Sequence, residues 1–137
     1  MNSAALQQAV YDRLTGDATL MAMVVGVYTN PPQADDSADA SAFPYLTLGP
    51  FVMTPYDTKD TDGQVALVDV HIWSRGTSDL AWRQIADRIY LTLQKHELTV
   101  SGTDVLDCRF DGQTDFDDPD GLTHHAVLTF RVLYFTN

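Results

Sequence analysis

Near its start the chain sets apolar side chains three and four residues apart: Leu6, Val10 and Leu14, with Ala9 and Tyr11 beside them. That spacing predicts an amphipathic helix from Ser3 to Leu14, with Ser3 as its cap and Gly16 as its stop. Asp17 then stands where a cap belongs, ahead of a short helix through residues 18–23 that Gly26 ends. Val27 and Tyr28 read as a brief strand. From Phe43 the period falls to two. Tyr45-Leu46-Thr47-Leu48 alternates, and Phe51-Val52-Met53 resumes after Gly49-Pro50, where a bulge or bend is expected. From Val65 to Arg75, Val68, Val70 and Ile72 share one face, and Asp69, His71 and Trp73 the other. Joined by the polar connector 54–64, these strands predict a long antiparallel hairpin with an extended tip.

Thr77 or Ser78 is expected to start the principal helix, which runs from Asp79 to about Lys95. Its buried stripe is Trp82, Ile85, Ala86, Ile89 and Leu93, with Arg83, Asp87 and Arg88 facing outward. Strands are expected at 98–100 and 105–110. A last strand, Thr123 to Phe135, sets Ala126, Leu128, Phe130, Val132 and Tyr134 on one face. The Asp117-Asp118-Pro119-Asp120-Gly121 run between them has turn chemistry: Pro fixes φ and Gly accepts a left-handed conformation. The predicted class is α+β: one mainly antiparallel sheet with a long hairpin, packed by a principal helix and N-terminal helices. With 137 residues the chain suits a single domain, 1–137, because a second core would be too small. Mobile loops are expected at 30–42 and 54–64. Residues 30–42 hold two prolines, three aspartates and no large apolar side chain, so they read as a surface insertion or as an arm that orders on a partner.

Charge narrows the function. Against 8 Lys and Arg stand 19 acids, a net −11, and all of those acids except Glu97 are Asp. Nucleic-acid binders need cations to displace phosphate counterions, and this chain has few. Asp favours turns and caps, so the charge is expected in loops and at strand ends. The single cysteine, Cys108, rules out an internal disulfide and multi-cysteine metal sites. No apolar run reaches the roughly 20 residues of a membrane span, and no export signal opens the chain, so synthesis is expected to leave it in the cytoplasm.

Candidate chemistry is sparse. The aspartates at 111–120 invite a calcium loop, but from Asp115 the fifth position is Pro119, the sixth Asp120 and the twelfth Ala126. A solvated hairpin turn fits better. Adjacent strand residues point to opposite faces, so His124 and His125 cannot chelate together without a bulge, and His71 and His96 could meet only through tertiary folding, with no His-x-x-x-His spacing behind them. Cys108 reads as a buried structural thiol. No metal, cofactor or catalytic residue is assigned, and no enzyme is expected. Aromatics on polar faces say more: Trp73 lies opposite Val70 and Ile72, and Leu133 and Phe135 lie opposite the last strand's core set, beside Arg131. Either helices cover both sheet faces, or these side chains await a partner.

A set of short motifs runs in fixed order along nearly the whole chain. It begins with Ala5-Leu6-Gln7-Gln8-Ala9-Val10-Tyr11-Asp12-Arg13-Leu14 and Gly26-Val27-Tyr28. It continues with Phe43-Pro44-Tyr45-Leu46-Thr47-Leu48-Gly49 and Val70-His71-Ile72-Trp73-Ser74-Arg75. It closes with Arg109-Phe110-Asp111-Gly112 and Asp118-Pro119-Asp120-Gly121-Leu122-Thr123-His124-His125-Ala126-Val127-Leu128-Thr129-Phe130-Arg131. The ordered set resembles the tail-terminator or tail-completion family of long-tailed phages and gene transfer agents. The resemblance implies a structural virion protein at the head–tail junction, a homo-hexameric ring that caps the tail tube. Its implied partners are the major tail tube protein and the head–tail connector protein, with DNA passing through the lumen unbound and no membrane contact. Tyr56, Asp57, Lys59, Asp60 and Asp62 at the hairpin tip, with Trp73 and Arg131, are the expected interface. The alternatives are a head–tail connector component and an acidic cation- or ligand-binding module; an uncharacterised hydrolase ranks last.

Overall fold

The computed structural model describes residues 3–29, 43–75, 79–94, 98, 103–117 and 123–136. Helix α1 (Ser3–Thr15) buries Leu6, Val10 and Leu14, the predicted stripe. It stops at Gly16, whose amide donates to the Asp12 carbonyl at 2.9 Å. Asp17 caps α2 (Ala18–Met21), its carboxylate accepting from the Thr19 amide at 3.1 Å. The principal helix α3 (Asp79–Leu93) buries the five predicted residues and Thr92.

Strands β1 (Val27–Tyr28), β2 (Tyr45–Pro55), β3 (Asp62–Arg75), β4 (Thr103–Asp117) and β5 (Thr123–Thr136) form one sheet in the order β1-β2-β3-β5-β4. The β1–β2 pair is parallel and every other pair antiparallel. The β2–β3 register slips between Leu48 and Phe51, at the predicted bend, where Gly49 has φ of 108°. That positive φ favours glycine. On β3 and β5 the even positions from Ala66 to Ile72 and from Ala126 to Tyr134 are buried under α1, α2 and α3 in one cluster. Each fully buried Leu or Ile there contributes about 1.5–3 kcal/mol, which sets the sheet face the helices cover.

Three details differ from expectation. The hairpin strands run farther out, with Pro55 paired to Gln64, so the connector is shorter than 54–64. Strand β4 continues to Asp117, placing Asp111, Asp115 and Asp117 on a strand where a loop was expected; each pairs with or lies beside β5. Arg88 turns sideways to Asp17 instead of facing solvent alone. The 30–42 loop, the helix start at Thr77 or Ser78, most of the 98–100 strand and the 118–122 turn lie outside the described residues.

Candidate functional site

Alternation leaves β3 and β5 with a second face. Odd positions of β3 meet odd positions of β5, from Val65 opposite Leu133 to Arg75 opposite Thr123. The buried apolar helix residues all join the cluster on the other side, so this face carries no helical cover among the described residues. One half holds a stack of rings. Trp73 and His125 lie 3.7 Å apart between centroids, His71 and His125 4.9 Å, and Tyr45 and Trp73 6.3 Å. The Trp73 indole donates to Thr47 Oγ1 at 3.0 Å. His71 Nδ1 and His125 Nε2 are 2.7 Å apart, one donating and the other accepting, so at least one imidazole is neutral. Arg75 donates to Thr123 Oγ1 at 3.1 Å and covers the Phe43 ring.

The other half is apolar with embedded charges of both signs: Asp107 stands opposite Leu133, and Asp69 accepts from Thr129 Oγ1 at 2.7 Å. Val52 pairs with Leu67, Leu67 with Arg131, and Arg131 with Arg109. Like charges directly opposite on adjacent strands destabilise the pair. Arg109 is relieved by Asp107, at 2.6 Å. Arg131 is exposed, and no ion pair relieves it among the described residues.

The hairpin tip is closed by a small set of bonds. The Tyr56 amide donates to the Gly63 carbonyl at 2.8 Å, and the Thr58 amide to the Thr61 carbonyl at 2.9 Å. The Gly63 amide donates to Asp57 Oδ1 at 3.0 Å. A Cβ on Gly63 would collide with the Tyr56 carbonyl and stand 2.7 Å from the Phe135 ring, so the closure requires glycine. Tyr56, half exposed, meets Phe135 edge-on at 6.2 Å. The structure thus gathers Tyr56, Asp57, Lys59, Asp60 and Asp62 at one end of the hairpin. Trp73 lies 11 residues beyond Asp62 on β3, roughly 36 Å away, and Arg131 lies between them on the open face. The seven residues form a tip cluster and two separate points.

One node escaped the sequence. Asp17 takes a bidentate bond from Arg88, at 2.8 and 3.0 Å, and a 2.6 Å bond from Thr92 Oγ1. The Arg88 bond, with that of Thr92, holds the Asp17 carboxyl well below its usual range, against the opposing effect of burial. The partners are 71 and 75 residues apart, and only the cap at Asp17 was visible locally. The outward side of α3 carries apolar side chains beside its charges: Leu80 is 65% and Leu91 57% exposed, and eleven residues of helix put both on one stripe.

One corner sets a serine, a histidine and an aspartate side by side. Ser74, His124 and Asp117 lie in one row across β3, β5 and β4. His124 Nδ1 is 2.6 Å from Asp117 Oδ1, but Ser74 is only 7% exposed. The row presents no accessible nucleophile. Cys108 is buried in the core, and burial, with the nearby Asp107 charge, pushes its thiol up to about 11. It is a packing residue at neutral pH. A recess between α1 and β1 is lined by uncharged side chains including Gln7, Gln8, Tyr11 and Tyr28. Among the described residues, no group of three His, Cys, Asp or Glu is placed to hold a metal ion, and no helix is long and apolar enough to cross a membrane.

Residues 8–134 match the family model described as tail completion protein gp17. The chain is 30% identical to tail completion protein gp17 of Bacillus phage SPP1 over 129 residues, covering 94% of this chain and 91% of that one. A solved structure of bacteriophage SPP1 gp17 superposes with a TM-score of 0.59 at 28% identity, covering 98% of this chain and 90% of that one. A chain in the virion of a native gene transfer agent particle superposes with a TM-score of 0.87 at 22% identity, covering 98% and 97%. At that identity the likeness is one of fold.

Proposed function

The chain belongs to the tail completion protein gp17 family, and from that membership we propose that it caps the tail tube of a phage or gene-transfer-agent particle as a hexameric ring. It is a structural component of the virion tail. The ring ends tube polymerisation and presents its other side to the head–tail connector, so the protein works at the junction. The observation that carries this reading is the match of nearly the whole chain, residues 8–134, to that family.

The physical chemistry supports the role. A ring needs heterologous contacts, two different patches meeting on each neighbouring pair. A face without helical cover and a projecting hairpin supply such surfaces. A subunit of net −11 repeated around a channel repels phosphate, which suits DNA that must pass without being held. The hairpin tip, with Tyr56, Asp57, Lys59, Asp60 and Asp62, meets the neighbouring ring of tail tube protein. Each exposed ion pair it makes there is worth about 1 kcal/mol or less, so the tip sets orientation more than affinity.

Removal of the gene tests the reading. Electron micrographs are expected to show tails of uncontrolled length and heads without tails, both restored by supplying the chain in trans. Tails of normal length joined to heads in its absence would overturn the role.

A further inference from the structure

We propose that copies of this chain join through the outward stripe of α3 on one copy and the open face of β3 and β5 on the next, with Asp87 meeting Arg131. This rests on the ring reading and names the two patches that build it.

The sheet edges are poorly suited to the contact. Strand β4 carries register shifts between Val105 and Asp107 and between Phe110 and Gly112. The outer edge of β2 beyond β1 carries Pro50 and Pro55. Bulges and prolines both blunt edge pairing. Faces remain. On α3, Leu80, Gln84, Asp87 and Leu91 are all exposed, and their spacing of four, three and four residues makes one stripe. The stripe is about 16 Å long, matching about five residues of strand.

Charge selects the pairing. Asp87 is the charge within the Leu80-Gln84-Leu91 stripe, one turn after Arg83, which lies 4.0 Å from Asp115. Arg131 sits among Leu67, Val65 and Leu133. The acids of its face are engaged, Asp107 with Arg109 and Asp69 with the Thr129 hydroxyl. Neither has an ion-pair partner among the described residues, although Arg131 stands opposite Arg109. Two open faces packed about an axis near Arg131 would bring Arg131 against its own copy, with no free acid on that face to relieve it. Two α3 stripes packed on each other would bring Asp87 close to its own copy. Opposed like charges disfavour both symmetric pairings. The mixed pairing satisfies both charges and covers the exposed leucines. Because α3 lies on the helix-covered side of the sheet and Arg131 on the other, the contact runs head to tail, as ring growth demands.

The test uses the full-length chain in light scattering across concentration, with Asp87→Arg, Arg131→Glu, and an equimolar mixture of the two. Each variant alone is expected to associate at least about tenfold more weakly than the wild type. The mixture should recover association, because each reversed charge then meets its complement. A second variant, with Asp87→Cys and Arg131→Cys in one chain, should give a disulfide ladder under oxidation, absent from either single cysteine variant. Single charge reversals that associate like the wild type would overturn the inference, as would a mixture that stays dissociated. A wild type that remains monomeric while the double-cysteine chain gives no ladder would also overturn it. None of these results touches the tail-capping role, which is read from tail length in particles.

Discussion

At the scale of single residues, Asp17 does two jobs: it caps α2, and it ties that short helix to α3 through Arg88 and Thr92. Four residues make too short a helix to persist alone, so the tie fixes its place. Asp17→Ala is expected to lower unfolding free energy by about 1–2 kcal/mol, read from urea denaturation. The pH dependence follows from the depressed carboxyl. In the unfolded chain Asp17 takes up its proton near its ordinary value of 3.8, and in the folded chain only at lower pH. The unfolded state therefore binds more protons between those points, and stability rises with pH there. This contribution is complete above the ordinary carboxylate range and is lost as pH falls below it. Asp17→Asn, which keeps a capping side chain but cannot ionise, should flatten the stability profile below about pH 4 relative to wild type. Locally, the sequence told only half of this. A cap is written in Asp17-Ala18-Thr19, whereas the pairing to Arg88 depends on how α2 and α3 pack, and no short-range pattern encodes that.

At the scale of elements, β5 separates two environments along a single strand. Leu128 is 1% exposed in the core, and Leu133 is half-buried on the open face. Leu128→Ala should cost about 2–5 kcal/mol, since it removes apolar atoms and leaves a cavity. Leu133→Ala should cost the monomer about 1 kcal/mol or less. Thermal unfolding of the two variants checks the contrast; equal losses would mean that both faces are core. Periodicity made the elements legible because it reports burial directly: Val68, Val70 and Ile72, then Ala126 to Tyr134, fell on the covered face as read. It could not decide what covers the opposite face, because Trp73, Leu133 and Phe135 are apolar enough for a core or an interface. The same limit explains β4. Asp115 and Asp117 carry loop-forming side chains, yet pairing with β5 holds their backbone extended, while Asp111 falls at the register shift between Phe110 and Gly112; tertiary contact overrode local preference at the paired positions.

At the scale of the whole molecule, net charge opposes what the interface favours. Two compact copies of −11, about 35 Å between centres, repel by about 4 kcal/mol at 10 mM salt and about 0.4 kcal/mol at 0.1 M if treated as screened point charges. The Asp87–Arg131 pair, at most a few kcal/mol, acts over a few ångströms and is screened far less once water is excluded. Long-range repulsion therefore governs the salt response. Raising sodium chloride from about 10 mM to 150 mM should strengthen self-association, with little further gain above that, and sedimentation velocity would measure the shift. Association that weakens steadily over the same range would mean that contact ion pairs dominate, as in a salt-bridged interface. The direction matters for assembly. In the proposed ring, repulsion between neighbouring copies has faded to about 0.4 kcal/mol at 0.1 M salt, so short-range contact between the patches decides whether the ring closes.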